Sequence, residues 1–327
     1  MSTTFSARTR AEEVVDKFSA EAAGKYILIT GANSGLGLET CRVLAMKGAK
    51  VVVACRNPKL AEEAITELKT DLPSADVHFL HLDLGDIKSL KRSADEFSSK
   101  FGKLDILINN AGVMACPKTF TTDGIEMQFA VNHLGHFYLT QNLLPLLEKS
   151  GTKDKPSRVV NLSSIAQMIF APHEGIVFDD MNAEKSYRDW ERYGQSKLAN
   201  VLFSNELNNR YKDGNVISIS LHPGLIAKTN LSRHLSIGSI FRMMGSVFFR
   251  RKGSFRLLMK QAYKSIPERA ATTVVVALDP DVKPGGYYSD CQETGGSDLH
   301  PKANDAELAK RLWEVSEQMC NEIMNNQ

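Results

Sequence analysis

The chain has 327 residues, 43% of them hydrophobic and 24% charged, with a formal net charge of +2. That is enough chain for one large domain or two ordinary ones, with the make-up of a globular protein. A charge so close to zero argues against a nucleic-acid binder or an acidic tail, and no apolar run approaches the roughly 18 residues of a membrane span.

The N-terminal stretch MSTTFSARTRAEEVVDKFSAEAAGK has no apolar core of the kind a secretory signal carries. Arg8 and Arg10 among serines and threonines have a transit-peptide flavour, but Glu12, Glu13 and Asp16 follow at once. Residues 1–23 are therefore expected to form an amphipathic leader helix. Cys41, Cys55, Cys116, Cys291 and Cys320 are odd in number, widely spaced and free of any CxxC pair. They read as reduced thiols of a cytoplasmic type of compartment rather than a disulfide framework.

From residue 24 onward, short β-branched runs alternate with longer helical patterns. YILIT (26–30), VVVAC (51–55), VHFLHL (77–82), LDILIN (104–109), RVVNLSS (158–164) and VISISLH (216–222) are the expected strands. Nearly continuous in apolar residues, they suit strands buried on both faces. Helical patterns lie near 36–48, 58–70, 86–100, 124–149 and 190–211. Such alternation predicts an α/β fold, a single doubly wound parallel sheet of Rossmann type with helices on both faces, over 24–327.

Residues 225–265 stand apart. They contain Lys228, Arg233, Arg242, Arg250, Arg251, Lys252, Arg256, Lys260 and Lys264, no acid, and interleaved Phe and Met. A helical substrate lid with a solvated outer face is expected here. The alternative is a cationic surface that lies on an anionic membrane or binds a partner.

TGANSGLG (30–37) follows the first strand and opens the first long helix. Gly31, Gly35 and Gly37 permit a tight turn and let the backbone approach a pyrophosphate, with Asn33, Ser34 and Leu36 completing the loop. The following helix N-terminus adds unpaired N–H groups and a positive dipole end. At the end of the second strand, an NAD enzyme usually carries an acid for the ribose 2′-hydroxyl. Here Cys55 and Arg56 stand instead, and a guanidinium suits a 2′-phosphate, so the expected cofactor is NADP(H). Asp83 and Leu84, just past the third strand, are placed to meet the adenine. Asn110, Ala111 and Gly112 of NNAG follow the fourth strand and supply polar groups and a small turn near the adenine-side ribose.

YGQSK (193–197) stands near the start of the last of these helices. Positions i and i+4 share a helix face, so Tyr193 and Lys197 project to one place. A free phenol has a pKa near 10, too high for ready proton exchange at neutral pH, and a nearby ammonium stabilises the phenolate. Such a tyrosine can pass a proton to a carbonyl oxygen while hydride moves to or from a nicotinamide. Ser164 would hydrogen-bond that oxygen, and Asn132 in AVNHLGHF could hold a water linking Lys197 to solvent.

TGANSGLG, NNAG, the Asn132 segment, Ser164, YGQSK and HPG (222–224) occur in one order. By that order the chain resembles the short-chain dehydrogenase/reductase family over essentially its full domain. ACRN, VNHLGHF, YGQSKLANVLFSNEL and the FSARTRAEEV leader make it similar to the retinol-dehydrogenase-like branch. That branch also holds the WW-domain oxidoreductase and the chloroplast-translocon-associated dehydrogenases. The resemblance implies catalytic roles for Asn132, Ser164, Tyr193 and Lys197, with Tyr193 and Lys197 also contacting the cofactor. It implies that Pro223, Gly224 and the loop beyond cover the nicotinamide. A Ser or Thr usually meets the carboxamide there; Lys228 falls in or near that register, with Thr229 beside it.

The expected activity is carbonyl–alcohol interconversion on a small apolar substrate of retinoid, steroid or lipid type. The alternative is an NADPH-sensing adaptor that docks through the basic segment. Peripheral membrane contact and a homo-oligomer stay open. His133 and His136 are expected to pack or cap rather than bind a metal, and Cys55 and Cys116 to pack.

Overall fold

Alternation along the first strand, β1 (Tyr26–Thr30), sets the architecture. Ile27 and Ile29 belong to one buried cluster and Leu28 to another, because successive strand residues face opposite ways. The same division holds in β2 (Lys50–Cys55), where Val51 and Val53 oppose Val52, and in β4 (Ile106–Asn109), where Ile106 and Ile108 oppose Leu107. A strand greasy on both sides has to lie inside a sheet covered on both faces.

The computed structural model describes residues 5–224 and 264–325. One sheet of eight strands runs through it in the order β3-β2-β1-β4-β5-β6-β7-β8. The remaining strands are β3 (Val77–His81), β5 (Ser157–Leu162), β6 (Val216–His222), β7 (Tyr287–Ser289) and β8 (Gln292–Thr294). Every pairing is parallel except that of β7 with β8. Strand order reverses between β1 and β4, and a crevice opens at that switch point outside the carboxyl ends of the strands.

One face is covered by α1 (Ala11–Lys17), α3 (Gly35–Met46), α4 (Pro58–Asp71) and the helix Ile266–Leu278, with α2 (Ser19–Ala22) leading into β1. The other carries α5 (Ile87–Phe101), α7 (Gly135–Ser150), α9 (Asp189–Arg210) and the C-terminal helix Ala306–Asn325. Two short helices, α6 (Met127–Phe129) and α8 (Ala166–Ile169), lie at the crevice end. The leader is part of the body: Ala11, Val14 and Val15 are wholly buried in the same cluster as α3 and the Ile266–Leu278 helix. Arg42 of α3 ties it down, with its Nη2 donating to Glu12 at 2.6 Å.

The single helix expected over 124–149 is divided. Glu126 caps α6 by accepting from the N–H groups of Gln128 and Phe129, a π-helical turn spans Ala130–Leu134, and α7 follows. Gly135 explains the close fit at that join, since a Cβ there would stand 2.5 Å from the carbonyl oxygen of Leu84. β7 and β8, at three residues each, are too short to show a period in sequence. Asp290 and Cys291 turn between them with φ of 54° and 63°, and Cys291 N–H donates to Thr272 Oγ1. Most of the lid and basic segment expected over 225–265 lies outside the described residues. Among the described residues, no helix is long and apolar enough to cross a membrane.

Because the leader closes one face of the core, Val14→Ala is expected to cost roughly 2–3 kcal/mol, from two lost methyl groups and the cavity they leave. Urea denaturation of the two proteins measures it; an unchanged midpoint would mean that α1 detaches in solution.

Candidate active site

Three asparagines and a threonine build the crevice before any ligand needs to enter. Thr30, the last residue of β1, accepts at Oγ1 from the N–H groups of Asn110 and Ala111, both at 2.9 Å. Asn110 works inward: its Nδ2 donates to the carbonyls of Thr30 at 2.7 Å and Gly31 at 3.4 Å. Its amide thus binds the glycine loop to the NNAG turn. The loop is shaped by close approach. Gly31 has φ +65°, and a Cβ on it would stand 2.9 Å from Ala111 Cα. A Cβ on Gly37 would stand 2.6 Å from both Asn110 Nδ2 and Gly31 O. Gly35, at φ +58°, opens α3, and the free N–H groups of that helix's first turn face the crevice end of β1. Bare backbone backed by a helix N-terminus fits a pyrophosphate.

At the rim, Asn57 caps α4 by accepting from Leu60 N–H at 3.1 Å, with Pro58 as the first helical residue. That stop leaves Arg56 exposed at the end of β2, without an ion pair to any described residue. Cys55 beside it is buried, its Sγ donating to Asn57 O. Asp83 turns one carboxylate oxygen to Gly85 N–H at 2.9 Å, and Leu84 is buried.

Across the crevice, α9 brings up Tyr193 and Lys197 as the i, i+4 spacing requires. Gly194 lets the helix come this close, since a Cβ there would stand 2.5 Å from Ala171 N and 2.8 Å from Ala166 O. The hydroxyl of Ser164 lies near enough to the phenol of Tyr193 to pull its pKa down. Lys197 Nζ lies 5.8 Å from the Tyr193 ring centroid and donates to the carbonyl of Leu162 at 3.1 Å. Burial pushes the phenol up to about 12, against the pull of Ser164, and pushes the Lys197 ammonium down to about 8. Within the protein alone, then, burial outweighs the lowering of the phenol that a neighbouring ammonium suggests.

Asn132 sits in the π-helical turn, wholly buried. Its side chain accepts from Val113 N–H at 2.8 Å and donates to Val113 O and Ser196 Oγ, each at 2.9 Å. The amide therefore braces the strap after NNAG against the residue preceding Lys197. A Cβ on Gly112 would stand 2.9 Å from Asn132 Oδ1 and 3.5 Å from Lys197 Nζ. Farther along the strap, Ala115, at φ 44°, donates its N–H to Gln128 Oε1, and Cys116 O accepts from Tyr187 Oη at 2.7 Å. Held so, Met114 and Ala115 join Ile165, Met168, Phe170 and Trp190 in an apolar cluster that includes the Tyr193 ring.

Both histidines are buried and burial pushes each down to about 3, so both are neutral. His133 packs among Phe129, Phe137 and Phe203 with Nε2 3.0 Å from Ser316 Oγ. His136 bonds inside the site. Gln128 and Ser196 carry no sequence signal of their own, Ser196 falling only within YGQSK, and His136 was expected only to pack or cap. Pro223 and Gly224 close β6, and Gly224, at φ +98°, lies against the Lys264 side chain. Thr229 and Lys228 lie outside the described residues.

The model of the family described as short chain dehydrogenase matches residues 25–238. The short-chain dehydrogenase TIC 32 B, chloroplastic, of Brassica napus is 41% identical over 324 residues, covering 98% of this chain and 95% of that protein. Retinol dehydrogenase 14 of Mus musculus is 42% identical over 308 residues, covering 90% of this chain and 86% of that one. Among solved structures, that of an uncharacterized protein from Mycobacterium Paratuberculosis is 32% identical with a TM-score of 0.69, covering 91% of this chain and 94% of that one. The retinol-dehydrogenase likeness seen in the motifs thus extends along nearly the whole chain, and with the family match it places the protein: it belongs to the short-chain dehydrogenase family, in its retinol-dehydrogenase-like branch.

Proposed function

We propose that the chain is an NADP(H)-dependent oxidoreductase that interconverts a carbonyl and an alcohol on an apolar substrate. Its strongest support is the meeting of the Tyr193 phenol, the Ser164 hydroxyl and the buried Lys197 ammonium beside an apolar wall. When bound, the nicotinamide supplies or accepts the hydride. Ser164 Oγ donates to the substrate oxygen and Tyr193 Oη gives it a proton in the reductive direction. With its phenol raised, Tyr193 is fully protonated at neutral pH and ready to act as the acid. Lys197 stabilises the phenolate that forms, and solvent supplies the replacement proton. Met114, Met168, Phe170 and Trp190 exclude water and favour a lipid-like carbonyl.

Gly31, Asn33, Ser34, Gly35, Leu36 and Gly37 would hold the pyrophosphate; Asp83 and Leu84 the adenine; Asn110, Ala111 and Gly112 the backbone of the adjacent turn. Pro223, Gly224 and Thr229 would lie over the nicotinamide. Arg56, exposed and unpaired among the described residues, would take the 2′-phosphate. The buried thiols suit a reducing compartment.

Tyr193→Phe is expected to lower kcat by about 100- to 10,000-fold with dinucleotide affinity kept, in single-turnover assays with retinal, a steroid ketone and an aliphatic aldehyde. Wild-type turnover by that variant would end the proposed chemistry. For pH, Lys197 is charged below its value of about 8 and neutral above it. Reductive kcat/KM should therefore hold below pH 8 and fall above it, and a Lys197→Met variant should show no such limb. Arg56→Glu should raise KM for NADPH roughly 10- to 100-fold and leave that for NADH nearly unchanged. Equal use of the two dinucleotides by the wild type would remove Arg56 from this role.

A further inference from the structure

Both ring nitrogens of His136 are occupied, and their partners lie on opposite sides of the site. Nδ1 stands 3.1 Å from the main-chain carbonyl of Asn132, four residues earlier. A carbonyl only accepts, so Nδ1 carries the hydrogen, and in the neutral ring Nε2 must accept. Nε2 lies 2.8 Å from Thr30 Oγ1. That hydroxyl already accepts from Asn110 and Ala111 and has one hydrogen to give. Ile108 O is its competitor at 3.5 Å, so the hydrogen goes to His136. The result is one directed chain: two N–H groups of the NNAG turn, the Thr30 hydroxyl, the imidazole, and the carbonyl of Asn132. Thr30, His136 and Asn132 are buried and the two turn residues half-buried, and in such surroundings an unmade bond is costly and a made one is directional.

The two ends serve different halves of the site. Thr30 precedes Gly31 and sets how the glycine loop meets the NNAG turn. Asn132 braces Val113 and, through Ser196, the turn of α9 that carries Lys197. The π-helical turn supplies the offset that allows this, for widened turns of this kind reorient groups at functional sites. We propose that His136 is a positioning residue that holds the dinucleotide cradle and the Asn132 turn in one register, a role that rests on the oxidoreductase assignment above.

Two variants cut the chain at different bonds. In His136→Asn, the amide nitrogen stands where Nδ1 does and still donates to Asn132 O, while the acceptor for Thr30 is gone. In His136→Gln, the longer side chain offers Thr30 an acceptor and leaves the Asn132 carbonyl without its donor. Calorimetric titration with NADPH and NADH gives Kd, and steady-state assays on a carbonyl panel give kcat and KM. His136→Asn should weaken NADPH binding about 10-fold with kcat nearly kept; His136→Gln should lower kcat about 10-fold with Kd nearly kept. Thr30→Val, which also removes the acceptor of the Asn110 and Ala111 N–H groups, should weaken binding at least as much as His136→Asn. The double variant should weaken it no further than Thr30→Val alone, because the Thr30–His136 bond is already gone. A merely structural role would lower the folded fraction and leave Kd and KM alone. Wild-type Kd in both His136→Asn and Thr30→Val, or additive losses in the double variant, overturns the proposal. If His136→Asn does not fold, Thr30→Val and His136→Gln carry the same comparison. A wild-type protein that binds neither dinucleotide would instead overturn the oxidoreductase assignment.

Discussion

An ammonium group removed from water is expensive to keep, and Lys197 is nearly all buried at the C-terminal edge of the sheet. Its Nζ has the Leu162 carbonyl for one of its three hydrogens. The elements around it are arranged so that the group cannot escape to solvent. Ser163 Oγ donates to the main-chain carbonyl of Lys197 at 2.7 Å, and Asn200, about one turn on, donates to the same Leu162 oxygen at 3.0 Å. Gly112 lies beside it, where a Cβ would crowd Asn132 Oδ1 at 2.9 Å. A charge held at such cost is poised to respond to another charge or to an oxygen nearby, and Tyr193 stands one turn away.

What holds α9 at the right height is a line of amides and hydroxyls inside the sheet. Asn109 at the end of β4 donates to Asn161 on β5 at 2.9 Å, and Asn161 donates to Ser218 on β6 at 3.0 Å. Ser218 meets Ser204 of α9 at 2.9 Å, and Asn208 donates to the Ser218 carbonyl. Apolar packing alone tolerates sliding by fractions of an ångström, whereas buried hydrogen bonds have narrow geometry and penalise it. The aliphatic core thus supplies the bulk of cohesion, and this polar line sets register across three strands and a helix.

Much of this could be read before the fold was known. The central strands were legible because each is apolar on both faces, and most of the long helices from the helical patterns between them. Tyr193, Ser164, Lys197 and Asn132 were legible as types in an order. Their division of labour was not. Asn132 reads as a holder of water between Lys197 and solvent; only packing reveals that its side-chain amide is bonded to Val113 and Ser196. The net rise of the Tyr193 phenol depends on how much protein covers it, which no spacing reports. The break in the 124–149 helix comes from a tertiary approach at Gly135, and β7 and β8 are too short for a pattern. His136 was expected to pack or cap, and it does pack; its link to Thr30 spans 106 positions of chain.

The aromatic residues have a use of their own. The chain has two tryptophans. Trp190 touches the apolar wall, its ring centroid 6.3 Å from that of Tyr193. Trp313 lies in the C-terminal helix, 5.0 Å from Phe137 and 5.8 Å from Phe203. Each indole therefore samples a separate environment, one beside the chemistry and one where the last helix docks. Replacing either with phenylalanine leaves a single emitter, so that light from Trp190 reports occupancy and light from Trp313 reports docking of the C-terminal helix.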